Sequence, residues 1–66
     1  MTREEMIALA NQAGMSNLSL IDIGYLEAFA NLILEKAAEK LLTIGFKSTG
    51  VPAYEYQAEA IRSMKV

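Results

Sequence analysis

"DIGYLEAFANLILEKAAEKLLTI", residues 22–44, is the stretch that decides the fold. Its apolar residues recur at spacings of three and four, which is the period of an amphipathic α-helix. We therefore predict one long helix from about Asp22 to Ile44, capped by Ser19 or Asp22. Gly45 is predicted to end it, because glycine readily takes the left-handed conformation of a C-terminal cap. One face of this helix carries a continuous apolar stripe: Leu26, Phe29, Ala30, Ile33, Ala37, Leu41 and Ile44.

A second apolar stripe runs beside the first and leaves only a narrow polar remainder. It consists of Leu34, Ala38 and Leu42. A helix that is apolar around so much of its circumference is expected to be buried on more than one side. A second copy of the chain would cover it better than two short helices, so we predict a homo-oligomer. The interface candidates are Phe29, Ile33, Leu34, Ala38, Leu41, Leu42 and Tyr56.

Shorter helices are predicted on either side of the long one, at about residues 2–13 and 52–64. Thr2 and Glu5 have the spacing of a capping box, and Gly14 is a suitable C-terminal cap. Pro52 fits the first position of the third helix, where its missing N–H has no intrahelical partner to lose. No stretch alternates long enough to predict a strand. The expected fold is all-α, a three-helix arrangement in one small domain spanning residues 1–66.

The composition narrows the classes of function. The 66 residues are 53% apolar and include no cysteine and no histidine, so disulfides and histidine-based metal sites are excluded. A net charge of −2 disfavours a nucleic-acid-binding module, whose affinity comes mainly from lysine and arginine. No leader segment is visible, and no stretch reaches the ~20 apolar residues of a membrane span. We expect a soluble, cytoplasmic protein that does not contact membranes.

The stretch from Lys47 to Pro52 contains a lysine, two hydroxyls and a glycine, which is the material of a phosphate-binding loop. The Walker pattern fails here, because Phe46 stands where the glycine before the lysine should be, and a helix rather than a strand precedes it. A weaker hypothesis remains open. Lys47, Ser48 and Thr49 would lie just ahead of a helix N-terminus, where free N–H groups favour a small anionic ligand.

Two pairs of carboxylates share helix faces at a spacing of four, Glu35 with Glu39 and Glu55 with Glu59. Such pairs can hold a hard cation or act as acid and base. Neighbouring lysines and Arg62 make solvated ion pairs the preferred interpretation. Without a histidine, cysteine or triad constellation, we predict no catalytic residues, no metal and no cofactor.

Three segments carry a resemblance to a known group of proteins. They are "MTREEMIALANQAG" at residues 1–14, the Leu-Glu-x-Phe-Ala-x-Leu-Ile motif at residues 26–33, and Ala-x-x-Ile-Arg at residues 58–62. This pattern resembles small accessory proteins encoded by tailed bacteriophages and prophages. The resemblance transfers no function and no binding residues. It implies a phage accessory gene that is expressed in a bacterial cytoplasm.

The sequence thus predicts a non-enzymatic phage accessory protein that acts by helix-mediated binding. Its expected partners are itself and a host protein, which could be a defence or replication factor that it inhibits or modulates. One alternative is a small-molecule or nucleotide-binding protein that holds its ligand at an oligomer interface near residues 47–52. A second alternative is a nucleic-acid-associated protein.

Overall fold

Three helices and their connections make up the computed structural model, which describes all residues from 1 to 66. Helix α1 spans Arg3–Gln12, α2 spans Leu20–Thr49 and α3 spans Glu55–Arg62. The predicted all-α arrangement with a long central helix is confirmed. The molecule measures 47 × 18 × 16 Å. Its length is that of α2 alone, because 30 helical residues rise about 45 Å.

Helix α1 begins and ends as the sequence predicts. The Thr2 hydroxyl accepts a hydrogen bond from the Glu5 N–H at 3.1 Å, and Glu4 and Glu5 occupy the first turn, where the helix dipole favours negative charge. Gly14 follows the helix with a φ of +97°. The N–H of Met15 donates to the Ala10 carbonyl and that of Gly14 to the Asn11 carbonyl, so the helix ends in a Schellman motif.

Helix α2 is longer at both ends than the predicted range of about 22–44. Ser19 is its N-cap, and Ser19 and Asp22 exchange two hydrogen bonds of 3.1 Å in a complete capping box. Gly50, not Gly45, is the C-cap, with a left-handed φ of +74°. The predicted end at Gly45 is therefore wrong. Phe46 to Thr49 tolerate helical geometry, and Gly50 offers the same conformational freedom one turn later.

Gly45 lies buried inside α2 because the chain returning from Gly50 crosses the helix at this point. A Cβ atom at Gly45 would lie 2.7 Å from Cδ2 of Tyr54 and 3.3 Å from the Cβ of Ala53. Cβ atoms do not tolerate a contact of 2.7 Å. The missing side chain is thus required by packing and not by backbone conformation.

Helix α3 begins later than predicted. Its N-cap is Tyr54, which makes no side-chain cap hydrogen bond, and Pro52 stays in the connection. The predicted start at Pro52 is wrong because α2 uses the residues up to Thr49 and leaves Gly50 to Tyr54 to reverse the chain.

Both short helices run antiparallel to α2 on the same side of it. Tyr54 meets Gly45, Arg62 meets Glu35, and the backbone of Val66 meets the Asn31 side chain. At the other end α1 is tied to α2 by the ion pair of Arg3 with Glu27. We call this side of α2, marked by Asn31, Ala38 and Gly45, the inner face.

Alanines form the tightest part of the interior. Ala38 on α2 is fully buried and Ala58 on α3 is 1% exposed. Only six of the 66 residues are buried, and no large side chain is completely enclosed. Small side chains let helices approach closely, but they bury little apolar area. The fold therefore leaves most of its large apolar side chains in contact with water.

Candidate functional site

The side of α2 opposite the inner face has no helix packed on it, and we call it the outer face. Its large apolar side chains lie mainly in the first half of the helix. Phe29 is 62% exposed, Leu32 is 65% exposed and Ile33 is 51% exposed. Ile21 and Tyr25 extend this exposed apolar surface towards the N-terminus of α2. Contiguous exposed apolar surface on a small protein is a common mark of an interaction site.

Charge is distributed unevenly along the outer face. Asp22 stands at its start, and Lys36 and Lys40 stand beyond the apolar residues. The Lys36 ammonium lies 3.6 Å from Glu39 in an exposed ion pair. Neither Asp22 nor Lys40 has an ion-pair partner within the chain, while five of the other charged side chains form ion pairs between α2 and the rest of the chain. The outer face is thus acidic at one end, apolar along the middle and basic at the other.

The predicted interface residues divide between the two faces. Phe29 and Ile33 lie exposed on the outer face. Ala38 is enclosed by the chain itself, and Leu34 and Leu42 are half-buried beside it on the inner side. Leu41 is also half-buried. The stripe of Leu34, Ala38 and Leu42, predicted to contact a second copy, therefore contributes to the chain's own interior.

The tyrosines occupy different environments. Tyr54 packs its ring against Gly45 and is 38% exposed, so it is a packing residue with an accessible edge. Tyr56 on α3 is 85% exposed, so almost its whole side chain is available to a partner. Tyr25 is 73% exposed and belongs to the outer face.

Glu35 is the centre of an ion-pair cluster that fastens the end of the chain to α2. Its two carboxylate oxygens accept hydrogen bonds from Lys65 at 3.0 Å and from Arg62 at 2.8 Å. Both hydrogen bonds lower the pKa of the Glu35 carboxyl from its ordinary value of 4.5, and the bond from Lys65 has the larger effect. Arg62 also reaches Glu59 at 3.5 Å. Glu39 and Glu59 form exposed ion pairs as predicted, whereas Glu55 forms none. Glu35 instead joins α2 to α3 and to the end of the chain.

Asn31 has a structural role that its position in the sequence did not reveal. Its side-chain oxygen accepts a hydrogen bond of 2.8 Å from the Val66 N–H, and its amide nitrogen donates to the Val66 carbonyl at 3.4 Å. A signal was available. Asn31, Ala38 and Gly45 are seven residues apart and so share one helix face, where small or polar residues interrupt the leucines.

The predicted anion site rests on a premise that the structure overturns. Lys47, Ser48 and Thr49 belong to the last turn of α2 and do not precede a helix N-terminus. A helix C-terminus carries partial negative charge, which repels an anion. The Thr49 hydroxyl lies 2.8 Å from the Gly45 carbonyl oxygen and 2.7 Å from that of Val51, and its single proton is shared between them. The hydroxyl is therefore committed to ending the helix.

A hollow of about 410 Å³ lies between the end of α2 and the start of α3. It is open to solvent, and Lys47 and Glu55 place opposite charges on its rim. Ser48 and Thr49 do not line it. The lining residues are Leu42, Thr43, Phe46, Lys47, Pro52 and Glu55.

No protein-family model matches the chain, and no curated protein or solved structure is significantly similar to it. None of the three helices combines the length and the apolar character that crossing a membrane requires. The acidic side chains do not gather into a group of three or more that could hold a metal ion. The surface features of the chain are therefore the basis for a functional proposal.

Proposed function

We propose that this chain is a non-enzymatic binding protein that acts through the outer face of α2 and associates with itself there. The observation that carries the proposal is the exposure of Phe29, Leu32 and Ile33, each more than half accessible along one side of the longest helix. Fully burying one such side chain stabilises a complex by about 1.5–3 kcal/mol. A second molecule that covers all three removes a large unfavourable contact with water.

The titratable groups fit a structural role better than a chemical one. The groups with a shifted pKa are Arg3, Glu35 and Arg62, and each is shifted chiefly by a hydrogen-bonded ion pair that connects two parts of the chain. Perturbed pKa values also arise in such structural networks, away from any site of catalysis. The ion pairs that hold the fold together therefore account for these three shifts.

The biological setting that we propose is that of a phage accessory protein in a bacterial host. It follows from the resemblance of residues 1–14, 26–33 and 58–62 to small phage and prophage proteins. In this setting the second partner would be a host protein of defence or replication, inhibited or modulated by a helical surface. Tyr56 on α3 is almost fully exposed. It is the residue that we propose contacts the host protein, because self-association through α2 does not cover it.

A matched pair of variants tests the proposal. Ile33 on the outer face and Leu9 on α1 are both 51% exposed, so a glutamate costs the folded monomer a similar amount at either position. We expect Ile33→Glu to reduce the molecular mass measured by light scattering to that of one chain, while Leu9→Glu leaves the mass of the wild type unchanged. Equal masses for all three proteins would contradict the proposal.

The hollow at the end of α2 supports a second candidate function, the binding of a small molecule or nucleotide. Leu42, Phe46 and Pro52 supply apolar walls, and Lys47 supplies one charge that could orient a ligand. Thermal unfolding in the presence of ATP, GTP or inorganic phosphate tests it. A rise of several degrees with one ligand, abolished by Lys47→Gln, would support this function, and unchanged melting with all three would remove it.

A further inference from the structure

The outer face of α2 carries a symmetric seam of residues. Its members are separated by four, three, four, three and four positions, which is the spacing that keeps side chains on one line of a helix in a coiled coil. The pattern reads the same from either end, with its midpoint at Asn31. The seam residues are Asp22, Leu26, Phe29, Ile33, Lys36 and Lys40.

We propose that two copies of the chain pair antiparallel along this seam, related by a two-fold axis at the level of Asn31. This inference rests on the proposed self-association and specifies its geometry. In an antiparallel pair, each residue meets the one equally far beyond the midpoint in the second copy. Phe29 of one copy then lies beside Ile33 of the other, and Leu26 lies beside the methylene groups of Lys36.

The charges at the ends of the seam select this arrangement. Asp22 and Lys40 are 18 residues apart, which is about five complete helical turns, so both point in the same direction. Neither has an ion-pair partner in its own chain. The Asp22 carboxylate accepts the Ser19 N–H through one oxygen, Oδ2, and its other oxygen has no hydrogen-bond partner. The antiparallel pair brings Asp22 of each copy to Lys40 of the other. A parallel pair would instead place Asp22 against Asp22 and Lys40 against Lys40, and like charges in contact are unfavourable.

The packing of the short helices on the inner face leaves the seam accessible for this dimer. Helix α3 packs on the side of Asn31, Ala38 and Gly45, and α1 is joined to the same side through Arg3 and Glu27, so both lie on the outside of the pair and do not obstruct the seam. The two copies of α2 would form a central layer between two outer layers of short helices. A closed two-fold dimer also pairs the two seams with each other, so neither seam is left to extend a fibre.

Charge exchange between two variants tests the pairing of Asp22 with Lys40. In Lys40→Glu the seam would place glutamate against aspartate twice, and in Asp22→Lys it would place lysine against lysine twice. We expect each variant alone to dimerise about tenfold more weakly than the wild type, or worse. An equimolar mixture should recover dimers, because both contacts between unlike variants are attractive. Variants that dimerise alone as tightly as the wild type would overturn the pairing.

Spin labels test the direction of the helices in an otherwise intact seam. The chain has no cysteine, so Thr43→Cys and Lys47→Cys each introduce a single labelling site on exposed positions. In the antiparallel dimer the two labels at residue 43 are separated by about 36 Å and those at residue 47 by about 48 Å, from the helical rise on either side of Asn31. In a parallel dimer both separations are close to the distance between helix axes, about 10 Å plus the label arms.

The outcomes separate this inference from the proposed function. Distances that increase from residue 43 to residue 47 as calculated support the antiparallel seam. Two short and equal distances in a dimer would overturn the arrangement and leave self-association standing. A chain that is monomeric at every concentration would overturn both.

Discussion

Two glycines in the same helix provide a direct test of how α2 and the returning chain pack. Gly24 is exposed, and a Cβ atom placed on it meets nothing within 4 Å. Gly45 is buried, and a Cβ atom there lies 2.7 Å from the Tyr54 ring and 3.3 Å from the Tyr54 backbone nitrogen. Replacing a helix-interior glycine with alanine gains about 0.8–1 kcal/mol from helix propensity at either position.

The two substitutions should therefore differ by the cost of overpacking. We expect Gly24→Ala to stabilise the fold by about 0.5–1 kcal/mol. At Gly45 the same propensity gain is opposed by a strain of about 1–3 kcal/mol, because Ala53 and the backbone of Tyr54 must move away from the helix. The free energy of unfolding of Gly45→Ala should thus be between equal to that of the wild type and about 2 kcal/mol lower.

Thermal unfolding followed by circular dichroism measures this difference. For a domain of this size about 1 kcal/mol corresponds to a shift in Tm of about 4–8 °C. Both variants and the wild type must be compared at one protomer concentration, because association raises the Tm of a protein that dimerises. A Gly45→Ala variant as stable as Gly24→Ala would refute the close crossing of the chain at Gly45.

Two further predictions concern the capping box and the ion-pair cluster. Ser19→Ala should lower the free energy of unfolding in urea by about 1 kcal/mol. Ser16→Ala, which removes a hydroxyl that makes no hydrogen bond, should change that free energy by less than about 0.5 kcal/mol. Equal effects of the two substitutions would contradict the capping role of Ser19. Glu35→Gln should be less stable than the wild type near neutral pH, because the pKa of Glu35 is lowered by folding. A lowered pKa stabilises the fold above the unfolded-state value, and this contribution is lost as the pH falls through the folded-state value. The difference in Tm between Glu35→Gln and the wild type should hence shrink as the pH falls below about 4.5. Glu39→Gln, which removes only an exposed ion pair, should change the Tm little at neutral pH. A pH-independent difference for Glu35→Gln would contradict the assignment.

The starts of α1 and α2 could be predicted from the sequence because their signals are local. Thr2 with Glu5 and Ser19 with Asp22 place a hydroxyl and a carboxylate three residues apart, and the hydrogen bonds that result need no tertiary contact. The period of the long helix is similarly contained in its own residues. These features give the fold class and the order of the helices.

The end of α2 depends on tertiary structure, and for that reason its prediction was wrong. Gly45 and Gly50 are equally able to take a left-handed conformation, so local propensity cannot choose between them. The helix ends at Gly50 because Gly45 lies inside it, at the point where Tyr54 crosses and leaves no room for a side chain. The error moved residues 47–49 from a loop into a helix and removed the basis of the predicted anion site.

Which face of α2 the other helices cover could not be predicted from local sequence signals either. The stripe with Phe29 and Ile33 contains larger apolar side chains than the stripe with Ala38, so hydrophobicity alone would bury it first. The fold buries Ala38 instead, since close approach of α3 requires small residues there. The hydrogen bonds of Asn31 to Val66 add to this choice, and they involve residues 35 positions apart.

Sedimentation equilibrium of the wild-type chain over a wide range of concentrations tests the central claim most directly. If the outer face of α2 is covered by a second copy, the measured mass will rise with concentration towards twice the 7.2 kDa of one chain and will not exceed it. A mass that stays at one chain up to millimolar concentration, with the helices folded, would contradict the claim.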